Sequence, residues 1–167
     1  MAHEMNEFES IINKYSKMIY KIAYSYTKNV YDSEDIVQDT FVKLYFCRKK
    51  FDTEDYLKYY LIRCAINRSL DYLRQKKHFI VNEELIKQSY IYQESKDNDE
   101  TFIYDCILSL KKEYKNVIIL FYYNKYGINE ISNILKISEG NVKIRLNRAR
   151  LKLREIIEKK EKKNGEW

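Results

Sequence analysis

Apolar side chains recur every three or four positions along most of the chain, and this spacing predicts amphipathic helices. One apolar stripe predicts a helix over residues 6–27. A second helix is expected to begin near Asp32 and Ser33, whose side-chain oxygens suit an N-cap. A third helix, roughly Thr53 to Lys77, is apolar on two sides, as expected of a helix packed between neighbours.

The last third of the chain has the order of a helix-turn-helix motif. Apolar residues predict a short helix beginning near Phe102 and a second one that contains Val117 to Tyr123, both assigned to a core. After Gly127 the pattern predicts a short helix, a tight turn and a longer helix capped by Ser138.

Composition narrows the fold class to all-α. The 167 residues contain no proline and three glycines, whereas tight β-hairpins need Gly or Asn at positive φ. No apolar run approaches the roughly 20 residues that span a bilayer. Because the N-terminus also does not resemble a secretory signal, we expect a cytoplasmic protein without membrane insertion.

The net charge changes sign twice along the chain: +3 over residues 1–81, −5 over 82–105 and +8 over 106–167. The acidic stretch has few strong apolar anchors and exceeds the length of about 12–15 residues usual for loops inside compact domains. We therefore predict two small helical domains, residues 1–81 and 101–167, joined by a flexible acidic linker over residues 82–100.

Catalytic chemistry has no support in the sequence. Three cysteines without C-x-x-C spacing and two distant histidines, His3 and His78, predict neither a zinc site nor a disulfide framework. The chain has no glycine-rich phosphate loop and no paired nucleophile and base. We expect no enzyme activity, no cofactor and no metal.

The predicted second helix has an acidic outer face with Asp35, Asp39 and Val42, and with Gln38 on its flank. Such a face suits a basic partner helix, but it is also consistent with a merely solvated surface, because single exposed apolar residues are ordinary.

The predicted third helix carries a polar stripe between its two apolar sides. Rings can stack on bases, cations can face phosphates and an amide can pair with a base edge. The alternative is a surface of i, i+4 pairs such as Arg63 with Asn67. The stripe consists of Tyr56, Tyr60, Arg63, Asn67, Asp71 and Arg74.

The longer helix of the predicted motif has six basic residues and no acidic one between Lys143 and Arg154. Its outer face can read base edges in a major groove while its flanks contact phosphates. A basic helix that binds nothing specific, or that lies on an anionic membrane, is the alternative. The outward residues are Lys143, Ile144, Asn147 and Arg148.

Three segments, in this order, resemble bacterial sigma factors of the extracytoplasmic-function (ECF) group. Asp32 to Tyr45 resembles their core-binding segment, and Ile62 to Arg74 resembles their promoter-melting helix. Ile137 to Arg150 resembles their reader of the upstream promoter element. The resemblance implies an all-α fold with a region 2 helical bundle and a region 4 helix-turn-helix. It also implies a factor that binds core RNA polymerase and directs it to promoters.

The resemblance further implies partners and site residues. The expected partners are core polymerase, through the clamp helices of its largest subunit and the flap of the second largest, promoter DNA and an anti-sigma factor. The polymerase-binding residues would be Asp35, Ile36, Gln38, Asp39 and Val42. The minus-10 residues would be the polar stripe together with Arg48 and Phe51, which lie near the flipped base. The minus-35 residues would be Asn141, Lys143, Ile144, Arg145, Asn147 and Arg148.

Several departures from the family pattern limit these expectations: no proline follows Leu110, and Tyr60 stands where tryptophan is common. Lys136 stands where the family usually has a turn glycine, and it would be strained if the turn needs positive φ. Ile144 and Asn147 are not the side chains most expected on the reading helix, so the preferred DNA sequence does not transfer. A stand-alone helix-turn-helix regulator that binds an operator without polymerase, and a helical adaptor that binds only proteins, stay open.

Overall fold

The computed structural model describes residues 2–83 and 98–164, with side chains from 6 to 77 and from 99 to 163. Within these ranges the chain is helical and contains no strand, which confirms the all-α prediction. One π-helical turn, Ile119–Tyr123, continues the fifth helix. The α-helices are α1 (Ala2–Thr27), α2 (Val30–Tyr45), α3 (Glu54–Glu83), α4 (Asn98–Leu108), α5 (Lys112–Ile118), α6 (Ile128–Leu135) and α7 (Glu139–Asn164).

Helices α1, α2 and α3 pack into the first unit. Ile19 of α1 and Leu61 and Ile62 of α3 are fully buried, and Phe41 brings the apolar side of α2 against them. Adjacent residues 61 and 62 point to different sides of a helix, so α3 is packed on two sides as its pattern predicts.

Helix α2 begins earlier than predicted. Asn29 is its N-cap, and the side-chain oxygen of Asn29 accepts from the Asp32 N–H at 3.0 Å. Ser33 is not a cap, because its hydroxyl is turned inward and lies 2.8 Å from Thr27 Oγ1. Asn, Asp and Ser are nearly equivalent caps, so the pattern alone left the first turn ambiguous.

Helix α3 ends at Glu83 and α4 begins at Asn98, so both ends of the predicted linker are helical. The middle of that prediction, residues 84–97, lies outside the described residues.

The second unit is built around α5 and its π-helical turn, with α4, α6 and α7 packed against them. The turn is widened because the Asn124 N–H bonds to the Ile119 carbonyl at 3.1 Å instead of to the residue one position later. Val117 and Leu120 are fully buried here. This apolar centre supports the helix-turn-helix formed by α6 and α7.

The two units contact each other through polar groups that the helical periodicity did not predict. The Tyr26 hydroxyl donates to Asn116 Oδ1 at 2.9 Å, and the Tyr104 hydroxyl donates to the Tyr26 carbonyl. Asn124 Nδ2 donates to Ser25 Oγ at 3.1 Å. All five residues are buried, so the end of α1 forms a seam with the second unit.

Candidate functional site

Four side chains form an exposed acidic surface on α2, here called the α2 face: Asp35, Gln38, Asp39 and Val42. Val42 is 55% exposed. A single exposed apolar residue is ordinary, so the case for a contact surface rests on its position beside the carboxylates of Asp35 and Asp39. Ile36 is 2% exposed. Its side chain packs in the core between the helices, which corrects its assignment to the polymerase-binding set.

One member of the α2 face already has a partner in the chain. Asp39 Oδ2 accepts from Arg68 Nε of α3 at 2.6 Å, and both side chains are about half exposed. Exposed ion pairs contribute only about 0–1 kcal/mol. An incoming basic group can therefore replace Arg68 at small cost.

The α2 face is longer than the sequence interpretation made it. Tyr31, 78% exposed, precedes Asp35 by four positions, and Phe46, 75% exposed, follows Val42 by four positions. Residues four apart lie on the same side of a helix, so an exposed ring extends the face at each end. The i, i+4 spacing from Val42 and Asp35 was the signal that could have found both residues.

The predicted polar stripe on α3 divides into parts with different surroundings. At its beginning Phe51 packs against two stripe members, with ring centroids 5.0 Å from Tyr60 and 6.0 Å from Tyr56. Arg48, in the preceding segment, is exposed. The structure thus brings the predicted aromatic residues Phe51, Tyr56 and Tyr60 into one cluster.

The aromatic cluster contains a polarised thiol. A hydrogen bond with Tyr60 lowers the pKa of Cys47, and the nearby Lys49 acts in the same direction. Burial raises the pKa of the Tyr60 hydroxyl, and the hydrogen bond with Cys47 acts in the same direction. The shared bond contributes to both shifts, because a phenol that donates to a thiolate stabilises the charged thiolate and the neutral phenol.

The middle of the stripe is engaged by the second unit. Arg63 Nη1 donates to the backbone carbonyls of Asn133 and Ile134, at 3.3 and 3.1 Å, at the end of α6. A cation there is favourable because the last carbonyls of a helix are unpaired and partly negative. The predicted alternative pairing of Arg63 with Asn67 is replaced by this contact between units.

The far end of the stripe is open to solvent. Asn67 and Arg74 are exposed, and Asp71 accepts a hydrogen bond from Arg74. Asn67 therefore presents an amide donor and acceptor next to a charged pair. This is the chemistry that a base edge requires.

The turn between α6 and α7 has the predicted construction. Ser138 Oγ accepts from the Asn141 N–H at 3.1 Å, which confirms Ser138 as the cap of α7. Lys136 has φ 55° and ψ 48°, the left-handed conformation in which a glycine is usual. Asn129 Nδ2 also donates to Glu139 Oε1 at 2.9 Å, which ties α6 to the first residue of α7.

Helix α7 buries Val142, Leu146 and Ala149 against the second unit. The opposite side is open, as predicted, and we call it the α7 face: Lys143, Ile144, Asn147 and Arg148. Ile144 is 51% exposed, and Leu151, seven positions later, is 56% exposed and continues the face. Arg145 and Asn141 are partly buried at its edges.

Three cations in the middle of α7 have partners within the chain. Arg150 Nε donates to the Tyr122 hydroxyl at 2.8 Å, and Lys152 and Arg154 form ion pairs with Glu155 and Glu158, each at 2.9 Å. The cations that α7 presents on its open face are therefore Lys143 and Arg148 in its first turns, and Lys159 and Lys162 are exposed farther along the helix.

Comparison with known proteins places both units in one family. Residues 11–79 match the family model of Sigma-70 region 2, and residues 103–153 match that of Sigma-70 region 4. The ECF RNA polymerase sigma factor SigW of Bacillus subtilis is 30% identical over 169 residues, which cover 92% of this chain and 90% of that protein. The chain belongs to the ECF family of RNA polymerase sigma factors. SigM of the same organism is 28% identical, with 89% and 93% covered.

Solved structures of sigma factors have the same fold. The sigma factor RpoE, solved with the anti-sigma factor NepR from Bartonella quintana, aligns with a TM-score of 0.61 at 21% identity and covers 91% of this chain and 97% of that one. CnrH, solved with the cytosolic domain of CnrY, aligns at 0.64 and 21%, covering 92% and 89%. Among the described residues of this sigma factor, no helix is both long and apolar enough to cross a membrane.

Proposed function

We propose that this chain binds core RNA polymerase and directs it to promoters that have minus-10 and minus-35 elements. The observation that carries the proposal is the open α7 face on a capped helix-turn-helix, combined with an open α2 face on the other unit. Membership of the ECF sigma family supports polymerase as the partner of the α2 face and promoter DNA as the partner of the α7 face. The chain acts in the cytoplasm, with polymerase supplying the catalysis.

The α2 face is the proposed contact for the clamp helices of the largest polymerase subunit. Its carboxylates at Asp35 and Asp39 attract basic side chains, and Val42 adds exposed apolar area on the same face. Tyr31 and Phe46 extend this contact, because large exposed rings contribute strongly to interfaces. The second unit would dock on the flap of the second largest subunit.

The α3 stripe is the proposed minus-10 surface. Asn67 and Asp71 lie where they can pair with an unpaired base, and Arg74 lies where it can contact the backbone. The cluster of Phe51, Tyr56 and Tyr60 offers rings for a base turned out of the stack, and the exposed Arg48 precedes Phe51 in the chain. Extrusion of a base costs a few kcal/mol, which stacking and hydrogen bonds in a fitted site return.

The α7 face is the proposed minus-35 surface. Asn147 supplies an amide for a base edge, Ile144 supplies apolar contact for a thymine methyl, and Arg148 can bond to guanine. Lys143, Arg145 and Asn141 at the start of the helix are placed for phosphates. We therefore infer the preferred DNA bases of the minus-35 element from these side chains and not from the DNA preference of the relatives.

A binding experiment with bacterial core polymerase tests the function. We expect the chain to co-purify with core enzyme and Asp35→Arg to abolish this. Glu34→Arg is the matched control, because it makes the same charge change on an exposed position of α2 about 100° away. Equal loss in both variants, or no binding by the unaltered chain, would refute the proposal.

A gel shift with free protein distinguishes a sigma factor from a stand-alone helix-turn-helix regulator. A stand-alone regulator must bind duplex DNA tightly and specifically without polymerase, whereas a sigma factor should shift promoter DNA only together with core enzyme. The solved relatives with anti-sigma proteins suggest an anti-sigma partner for this chain as well. A protein-only adaptor would show no salt-dependent affinity for DNA in either assay.

A further inference from the structure

A cavity of about 590 Å³ that is widely open to solvent lies where the two units meet. Its walls come from α3 in the first unit and from the beginning of α5, the end of α6 and the beginning of α7 in the second. The size falls within the range of about 300–1,000 Å³ usual for small-ligand sites.

The lining is strongly positive. Four cationic side chains contribute to it, namely Arg63, Lys111, Lys112 and Arg145, against the single carboxylate of Glu113. Like charges in one concave space repel each other, and a cleft lined by one sign concentrates its field on a counter-ion. The arrangement is therefore most stable with an anion inside.

The donors suit phosphate in particular. Both hydrogen bonds from Arg63 to α6 use Nη1, which leaves Nε and Nη2 of the same guanidinium for another acceptor. Guanidinium groups bind phosphate oxygens with paired hydrogen bonds, and lysines add point charges. Besides the charged residues, the described lining contains Asn67 and Asn116 and the apolar Ile66 and Leu135, but no aromatic ring. It therefore offers donors for a phosphate chain and no ring on which a base could stack.

We propose that this cavity binds a small anion made of linked phosphates, either an inorganic oligophosphate or the phosphate tail of a nucleotide. A compact ligand with several negative groups can bridge Arg63 of the first unit and Arg145 of the second. It would hold the units together. If the proposed function is correct, it would also occupy Arg63, Asn67 and Arg145, which are assigned to promoter DNA, and so lower promoter binding.

Isothermal titration of the full chain with sodium tripolyphosphate at about 0.15 M salt tests the site. We expect saturable binding of one anion per chain, and an affinity well above that for sulfate. The double variant Lys111→Ala, Lys112→Ala should weaken it about tenfold or more. Neither lysine belongs to the proposed polymerase or DNA surfaces, and the Lys111 side chain makes no capping bond to α5.

The matched control is Lys159→Ala, Lys162→Ala, which removes the same charge from exposed positions at least ~21 Å along α7 from Arg145. Its affinity should stay near that of the unaltered chain, and Glu113→Gln should bind more tightly. Unchanged circular dichroism of each variant shows that the fold is kept. Equal weakening in both double variants, or equal affinity for sulfate, would overturn the proposal.

A nucleoside triphosphate and a short single-stranded DNA complete the design. If the nucleoside triphosphate and tripolyphosphate bind with equal affinity, the site recognises the phosphate chain alone. If the nucleoside triphosphate binds more tightly, the site recognises a nucleotide. If only the DNA binds and the Lys111, Lys112 variant weakens it, the cavity is part of the DNA path and the proposal is wrong. None of these titrations contains polymerase, so their outcome is independent of the proposed function.

Discussion

Tyr26 and Asn116 lie 90 positions apart and share a buried hydrogen bond of 2.9 Å from the phenol to the amide oxygen. Tyr26 is fully buried, and burial raises the pKa of its hydroxyl, so it stays a donor throughout the physiological range. The bond joins the end of the first helix to the centre of the second unit. It makes the two units energetically dependent on each other.

Loss of this bond should destabilise the whole chain. Tyr26→Phe keeps the ring but leaves Asn116 Oδ1 buried without its donor, which costs about 1–3 kcal/mol. Urea unfolding followed by circular dichroism measures the change. Tyr31→Phe, on a side chain that is 78% exposed, should be within about 0.5 kcal/mol of the unaltered chain. Equal losses would show that Tyr26 contributes packing alone.

Asn67→Ala should weaken open-complex formation and leave core binding intact. The Asn67 amide is exposed on α3, whereas the α2 face is a separate surface. Loss of one base contact costs about 1–3 kcal/mol, or roughly 5-fold to 150-fold in the amount of open complex. Permanganate footprinting of a promoter and a polymerase pulldown measure the two properties. Parallel loss in both assays would contradict the separation of roles.

Cys47 should react with iodoacetamide with a pH midpoint below that of an ordinary thiol, because Tyr60 lowers its pKa. Tyr60→Phe removes the hydroxyl that stabilises the thiolate, so the midpoint should move to higher pH. Peptide mass spectrometry after timed alkylation separates Cys47 from the buried Cys64 and Cys106. Tyr59→Phe, on the neighbouring residue, should leave the Cys47 midpoint in place. A shift of the Cys47 midpoint in both variants would mean that a change in the packing around Cys47, and not loss of the Tyr60 hydroxyl, alters its pKa.

Lys136→Gly should stabilise the second unit. The left-handed conformation destabilises a folded protein by about 1–2 kcal/mol when the residue is not glycine. Glycine removes this strain, but its greater conformational entropy in the unfolded chain lowers the free energy of unfolding by about 0.5–1 kcal/mol. The expected net gain is therefore about 0.5–1 kcal/mol in thermal or urea unfolding. Lys136→Ala, which keeps the strain, should give no such gain. A loss on Lys136→Gly would mean that the lysine side chain itself holds the turn.

The sequence was sufficient to predict the helices, the cap of α7 and the turn between α6 and α7. It was not sufficient to predict the contacts between the two units. Ser138 and the turn at Lys136 follow from capping and turn rules that involve a few neighbouring residues. The buried sides of α3 follow from periodicity. Periodicity shows that Ser25 and Tyr26 lie near an inward face, but it does not show which distant segment covers them.

The functional surfaces were predicted in the same partial way. Spacing placed Asn147 and Arg148 on an open face, and the structure agrees. Ile36 adjoins Asp35 in the resembling segment and was grouped with it, although a rotation of about 100° turns it inward. The engagement of Arg63 by α6 depends on a contact 71 positions away, which no local pattern encodes.

The widened turn at Ile119–Tyr123 has a consequence for chain length. A π-helical turn accommodates one more residue than an α-helical turn without changing the direction in which the flanking segments face. Deletion of one residue inside it would therefore leave Val117 in the core and Asn124 against Ser25. The same deletion within residues 112–116 would instead rotate the beginning of α5 by about 100° relative to Val117. A change of one residue in length is therefore expected to be tolerated in the π-helical turn and to disrupt packing at the beginning of α5.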